Sequence, residues 1–155
     1  MKTCFAATIF MAAALLLAAG CQPAGGQGAD GGDLRVMTFN IRNGLAPDGK
    51  NHWLLRKAFV CDVIRQCSPD VLGVQEAFRF LLDEFNLRLP QYGEIGVGRE
   101  GGAKGEYSAI LYRKDRFDVD ESGTFWLSDT PTKPSVTWGN ACVRICTWAR
   151  LTDKT

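Results

Sequence analysis

The chain has 155 residues, 46% of them hydrophobic and 23% charged, which is ordinary for a globular protein and leaves room for one domain. Its formal net charge of +1 argues against a protein that grips long polyanions through a basic face, since such binding draws on many Lys and Arg contacts. Small or locally engaged anions fit better, and once an export segment is set aside roughly 120 residues remain to build a modest core.

That export segment comes first. Lys2 supplies a positive start, residues 5–19 are an apolar run too short for a comfortable membrane span, and Ala18, Ala19 and Gly20 place small residues before Cys21. The run Leu17-Ala18-Ala19-Gly20-Cys21 resembles a bacterial lipoprotein signal, which implies cleavage before Cys21 and lipidation of it; a plain secretory signal and an uncleaved anchor are the alternatives. Gln22 rather than Asp after the cysteine leans, by resemblance to Gram-negative sorting rules, towards the outer membrane of the cell envelope. Residues 22–33 have no apolar period and enough glycine to act as a flexible tether. The expected organisation is a signal over 1–21, a tether over 22–33 and a domain over 34–155.

Four cysteines then remain in a compartment that permits disulfides. Cys142 and Cys146 lie on one predicted strand, roughly 13 Å apart by strand rise, and cannot bridge. Cys61 and Cys67 sit on a predicted helix and point to different sides. Any disulfide must cross between elements, and buried thiols are the other possibility. No Cys-x-x-Cys pair favours a structural zinc site.

Residues 34–39 read as a strand, with Val36 and Thr38 on one face, Met37 and Phe39 on the other, and mostly buried on both. A loop over 41–51 follows. Asn51 is placed to cap a helix over 52–67 whose stripe is Leu55, Phe59, Val63 and Ile64, ended by Ser68-Pro69. Residues 71–75 form a second, wholly apolar strand, and 78–89 a second helix closed by Pro90. Strand, helix, strand implies a parallel pair joined by a right-handed crossover. Asn40 and Glu76 therefore emerge at the same sheet edge, where open α/β folds place ligands.

A third strand over 92–97 and a glycine-rich loop over 98–105 precede antiparallel-looking strands over 107–112, 117–126 and 142–151. On the last, Val143, Ile145, Thr147, Ala149 and Leu151 share one face. Residues 96–101 satisfy G-x-G-x-x-G, but glycine and a strand follow, so no helix terminus is available for a pyrophosphate. Trp126, Trp138 and Trp148 suit core or rim packing better than stacking on a base or lipid.

A carboxylate at the end of a buried strand is costly unless something pairs with it, and a divalent cation held by Glu76 would account for that placement. Asn40 can donate to a phosphate oxygen. The competing reading is that Asn40 starts a turn and Glu76 caps the next helix.

Residues 34–42 (LRVMTFNIR), 69–77 (PDVLGVQEA), 105–113 (GEYSAILYR) and 144–151 (RICTWARL) resemble successive motifs of the endonuclease/exonuclease/phosphatase superfamily, which includes deoxyribonuclease I, abasic-site endonucleases, deadenylases, bacterial sphingomyelinases and inositol phosphatases. The resemblance spans nearly all of 34–151. It implies an α/β fold, the amino-terminal half of a four-layer α/β/β/α sandwich, in a protein that hydrolyses phosphodiesters or phosphomonoesters with Mg²⁺ or Mn²⁺ by in-line attack of an activated water and is a monomer when complete. By the same resemblance Glu76 is a metal ligand, Asn40 positions metal or phosphate, Glu106 orients a catalytic histidine, and Arg144 contacts phosphate; solvated turn and strand-edge roles remain open for Glu106 and Arg144.

Family members continue into Asn-Thr-His, Gly-Asp-Phe-Asn and Ser-Asp-His stretches that are not in this sequence, and its sole histidine, His52, lies in the wrong motif context for a base. The expectation is that the 155 residues alone are inactive and leave one sheet face uncovered. A non-catalytic surface lipoprotein that uses the half-fold as a binding module is the rival; the presence of Asn40, Glu76, Glu106 and Arg144 together disfavours it.

Overall fold

The computed structural model of the protein describes residues 33–155; the expected signal, Cys21 and all but the last residue of the tether lie outside the described residues. Among the described residues the elements run β1 (Val36–Asn40), a 3-10 turn (Gly49–Asn51), α1 (Trp53–Cys67), β2 (Val71–Ala77), α2 (Arg79–Arg88), β3 (Tyr92–Ile95), β4 (Tyr107–Arg113), β5 (Phe117–Trp126) and β6 (Ile145–Asp153). β1 and β2 are parallel, with Asn40 opposite Gln75 at their ends, as the strand–helix–strand order requires. β4 adds antiparallel to β2, and β3 antiparallel to β4, giving the order β1-β2-β4-β3. β5 and β6 form a separate antiparallel ribbon.

The cap of α1 is His52 and not Asn51. Its Nδ1 accepts from the Leu54 N–H at 3.3 Å, while Asn51 is absorbed into the 3-10 turn. At the other end Ser68 adopts φ +43° and its N–H donates to the Ile64 carbonyl at 2.8 Å; Pro69 then blocks any continuation. The buried face also differs from the expected stripe. Trp53, Val60, Cys61 and Ile64 are buried, whereas Leu55 and Phe59 are 70% and 69% exposed. Two apolar sets at helical spacing compete for one buried face, sharing Ile64. The set with Trp53 wins, because its indole packs edge-on against Phe85 of α2 with ring centroids 6.1 Å apart.

The core lies between the helices and one face of the four-stranded sheet. Leu72, Val74 and Ala77 of β2, Ala109 and Leu111 of β4, and Leu81, Leu82 and Phe85 of α2 are all buried there, and Met37 and Phe39 of β1 pack against them. β1 is not buried on both sides as expected, since Val36 is 65% exposed. It is an edge strand, and the ribbon packs on the sheet mainly through β4. The ribbon comes close because Gly96, at φ +140°, has no side chain: a Cβ there would stand 3.4 Å from the Ala109 Cα and 3.6 Å from the Thr147 Oγ1. The same turn ends β3 at Ile95 instead of residue 97. β6 likewise begins at Ile145, not 142; residues 141–142 form a bend, and Val143 and Arg144 are irregular. Cys61, Cys67, Cys142 and Cys146 are not in disulfides.

Candidate functional site

Two local distortions build the site. The pairing of β2 with β4 slips between Gln75 and Ala77, and Glu76 occupies that bulge with φ +59°. A left-handed conformation is strained for a residue with a Cβ, and a bulge re-aims the side chain it carries. Asn40 ends β1, and its Oδ1 accepts from the Arg42 N–H at 2.9 Å, so the chain turns there with Arg42 at φ +63°.

The Asn40 Nδ2 donates to the Glu76 Oε1 at 2.9 Å, and the Asn43 backbone N–H donates to Oε2 at 2.7 Å. The Asn40 hydrogen bond is the main reason the Glu76 carboxyl is held below its usual range; it outweighs partial desolvation and is helped by the Asn43 N–H and the charges of Arg42 and Arg56. The group is therefore ionised at neutral pH. Glu76 does not cap α2, whose capping residue is Phe78. Asn40 does start a turn, as the competing reading had it, and holds Glu76 with its other end.

Glu106, just before β4, is no solvated turn residue. Its Oε2 accepts from the Arg99 Nη1 at 2.6 Å and its Oε1 from the Asn43 Nδ2 at 2.9 Å. Arg99 comes from the glycine-rich loop, which is pinned by the Trp126 Nε1 donating to the Arg99 carbonyl at 2.7 Å. Arg144 sits in irregular chain immediately before β6. Among the described residues it is the one arginine whose guanidinium takes part in neither a hydrogen bond nor an ion pair.

Asn40, Glu76, Arg99, Glu106, Ser108 and Arg144 line one cleft of about 220 Å³. The four residues expected from the sequence are thus brought together from four separate segments. His52 is not among the cleft's lining residues. On the other side of Asn40 a hollow of about 440 Å³ is lined by Arg42, Asp48, Asn51 and Arg56. Arg56 lies over the Trp53 ring at 5.2 Å and straps the 41–51 loop, donating to the carbonyls of Ile41, Arg42 and Asn51.

Three contributors were not anticipated from the sequence: Asn43, Arg99 and Arg56. Asn43 stands three residues after Asn40, in a loop where an asparagine ordinarily signals only a turn. Arg99 lies in a glycine pattern that does not fit a phosphate loop, and its partner Glu106 is seven residues on, across the glycine-rich turn. Arg56 has no local signal, because its partners are backbone carbonyls up to 15 residues away.

The donor set can be tested against a divalent cation. Glu76 is ionised, each of its oxygens takes one hydrogen bond and keeps a lone pair, and a neutral amide stands beside it. Among the described residues no three His, Cys, Asp or Glu side chains converge. One carboxylate with an amide fits a hard, oxygen-seeking ion that retains much of its water, as Mg²⁺ does.

Residues 37–150 match the model of the Endonuclease/Exonuclease/phosphatase family, and the chain belongs to that family. Its arrangement of helices, four-stranded sheet and ribbon is the deoxyribonuclease I-like α/β fold. The family's endonuclease/exonuclease/phosphatase structure from Bacteroides vulgatus is 41% identical with a TM-score of 0.76, covering 78% of this chain and 47% of its own. A mannosyl-6-phosphatase from Bacteroides thetaiotaomicron is 40% identical with a TM-score of 0.76, covering 79% of this chain and 47% of its own. An uncharacterised protein of Acanthamoeba polyphaga mimivirus is 26% identical over 119 residues, 65% of this chain and 17% of that one. The chain thus spans less than half the length of these relatives.

Proposed function

We propose that the protein is a metal-dependent phosphoester hydrolase of the bacterial cell envelope, exported and anchored through lipid on Cys21, with a phosphorylated sugar or another small phosphomonoester as the first substrate class to test. The reading is supported by one observation above all: Glu76, Asn40, Glu106 and Arg144 meet in one cleft, and Arg144 arrives there with its guanidinium unengaged. Likeness to a mannosyl-6-phosphatase over most of the described residues favours phosphomonoesters over diesters.

Glu76, steadied by Asn40, would hold Mg²⁺ or Mn²⁺, and the ion when bound supplies positive charge against the phosphate oxygens. Arg144 would offer paired N–H donors to those oxygens, a geometry that a guanidinium matches and an ammonium does not. Arg99 stays with Glu106 and fixes its orientation. Glu106 lines the cleft and would orient a neighbouring base. No histidine lines the cleft among the described residues, so we propose that residues 33–155 by themselves turn over far more slowly than the whole protein.

The test compares mannose 6-phosphate, p-nitrophenyl phosphate and bis-p-nitrophenyl phosphate as substrates of the whole purified protein, with Mg²⁺ or EDTA, alongside Glu76→Ala. Chelator-sensitive release of phosphate that the variant lacks is the expected result. Turnover indifferent to both EDTA and Glu76→Ala would sink the reading, and full-rate turnover by the 155-residue chain would sink the claim about its insufficiency.

A further inference from the structure

We infer that Asn43 is a positioning residue that holds Glu76 in place by tying its own loop to Glu106; the inference rests on the hydrolase reading only for its consequence in catalysis. Among the described residues Asn43 alone hydrogen-bonds to both carboxylates of the cleft. Its backbone N–H donates to the Glu76 Oε2 at 2.7 Å, and its side-chain Nδ2 donates to the Glu106 Oε1 at 2.9 Å. The side-chain oxygen sets the orientation of the amide. Oδ1 accepts from the Leu45 N–H at 2.8 Å, so the amide must present nitrogen, and not oxygen, to Glu106.

The arrangement answers a problem of like charge. Glu76 and Glu106 line the same cleft from β2 and the start of β4; like charges repel, and among the described residues only Glu106 of the two has an ion-pair partner, Arg99 at 2.6 Å. A neutral residue with two donors can bridge them without adding charge. Its loop is braced from outside by Arg56 on the carbonyls of Ile41, Arg42 and Asn51 and by the Arg42–Asp48 ion pair at 3.0 Å. The Asn43 carbonyl accepts from the Ala46 N–H at 3.2 Å within the loop, and the side-chain bond to Glu106 is the tie that runs from Asn43 to the β4 side of the site. Cutting that bond at either end should loosen the N–H, and Glu76 with it.

A mere turn-forming role makes a different prediction. Serine also serves as a turn acceptor for the Leu45 N–H, but it has no amide to reach Glu106. Asn43→Ser therefore keeps the turn and cuts the tie. The experiment titrates the purified protein with Mn²⁺, followed by electron paramagnetic resonance, for the parent, Glu76→Ala, Asn43→Ser, Glu106→Ala and the double variant. The expected result is that Asn43→Ser raises the Mn²⁺ Kd about tenfold, the usual scale for a group that orients a metal ligand, and changes it less than about twofold when Glu106 is already Ala. Equal Kd values for Asn43→Ser and parent, or full additivity in the double variant, overturn the inference while leaving the metal site intact.

A second measurement needs no metal and no substitution in the loop. Hydrogen exchange of the Asn43 backbone amide, resolved by NMR, should quicken at least tenfold in Glu106→Ala while amides of β2 keep their protection. An Asn43 amide still protected in Glu106→Ala overturns the inference even if Mn²⁺ binding is lost. If the parent binds no Mn²⁺ that Glu76→Ala removes, the hydrolase reading falls, and quickened exchange still supports the positioning of Glu76 by Asn43.

Discussion

Replacing Glu76 by alanine and by glycine separates its chemistry from its backbone strain. Both variants lose the carboxylate and so the hydrogen bonds from the Asn40 Nδ2 and the Asn43 N–H. The Asn40 amide is exposed and the Asn43 N–H part-buried, so the loss is about 1 kcal/mol each and the same in both variants. The variants differ at φ +59°. Alanine keeps a Cβ in the left-handed region, which costs about 1–2 kcal/mol, whereas glycine is at ease there but loses about 0.5–1 kcal/mol of backbone entropy on ordering. The difference leaves Glu76→Gly about 0.5–1 kcal/mol more stable than Glu76→Ala. For a domain of this size that is about 2–5 °C in Tm. Thermal and urea unfolding of the two variants side by side would measure it, with Mn²⁺ titration expected to show binding lost in both. If Glu76→Ala unfolds at the same midpoint as Glu76→Gly or later, the strained conformation does not exist in solution and the bulge has been misread.

Arg144→Ala should leave the unfolding midpoint within about 0.5 kcal/mol of the parent, because its guanidinium has no partner to lose, while lowering kcat/KM on a phosphomonoester roughly 10- to 100-fold; steady-state kinetics beside a melting curve tests both halves. His52→Ala should lower stability by about 0.5–1 kcal/mol through loss of the α1 cap and leave kcat/KM unchanged, which a urea titration and the same assay would reveal. Glu94 is pushed up by burial, but the stronger combined pull of hydrogen bonds from Arg79, at 2.6 and 2.7 Å, and Asn86 holds its carboxyl below the usual range. The stability this lends is present above the ordinary carboxylate pKa and is lost as pH falls through the depressed folded value. Glu94→Gln should accordingly cost about 2–3 kcal/mol at neutral pH, scaled down from a fully buried pair, and urea midpoints of parent and variant should converge in acid; a gap that does not narrow as pH falls contradicts the linkage.

The parts of this fold that could be read from the sequence were those written in local pattern. The parallel β1–β2 pair followed from strand, helix and strand in succession, and the shared edge of Asn40 and Glu76 followed from that. Where two local patterns competed, periodicity could not choose: α1 offers Leu55 and Phe59 as readily as Trp53 and Val60, and only the Trp53–Phe85 contact with α2 decides. The burial of β1 was overestimated for a similar reason. An apolar strand does not announce whether it stands at a sheet's edge, and β1 does. In the site, the residues found were those at strand ends with a familiar motif around them. Asn43 and Arg99 carry no local signal, because both take their meaning from Glu106, which lies 63 residues from Asn43 and across a glycine-rich turn from Arg99. Glu76's left-handed backbone had no signal at all, since Gln75-Glu76-Ala77 contains no glycine to mark a bulge.

Charge in the cleft carries one further consequence. Its charged lining residues are Glu76, Glu106, Arg99 and Arg144, two of each sign. Arg99 is spent on Glu106, so an entering phosphate meets Arg144 on one side and the ionised Glu76 on the other. A phosphomonoester near neutral pH carries close to two negative charges, and against that balance it gains little. A divalent cation on Glu76 reverses the sign of that side. Phosphate and cation should therefore bind with positive coupling of about 1–3 kcal/mol, a 5- to 150-fold change in affinity that must be the same whichever ligand is added first. Calorimetric titration of inorganic phosphate into the protein with Mg²⁺ and with EDTA measures the coupling, and Mg²⁺ titrated with and without phosphate checks the reciprocity. Glu76→Ala should weaken phosphate binding in Mg²⁺ yet leave it no weaker than the parent in EDTA, since the variant removes a repelling charge along with the ligand. Equal phosphate affinity in Mg²⁺ and EDTA for the parent would mean that Glu76 does not hold the ion beside the phosphate, and the proposed division of labour between Glu76 and Arg144 would have to be abandoned.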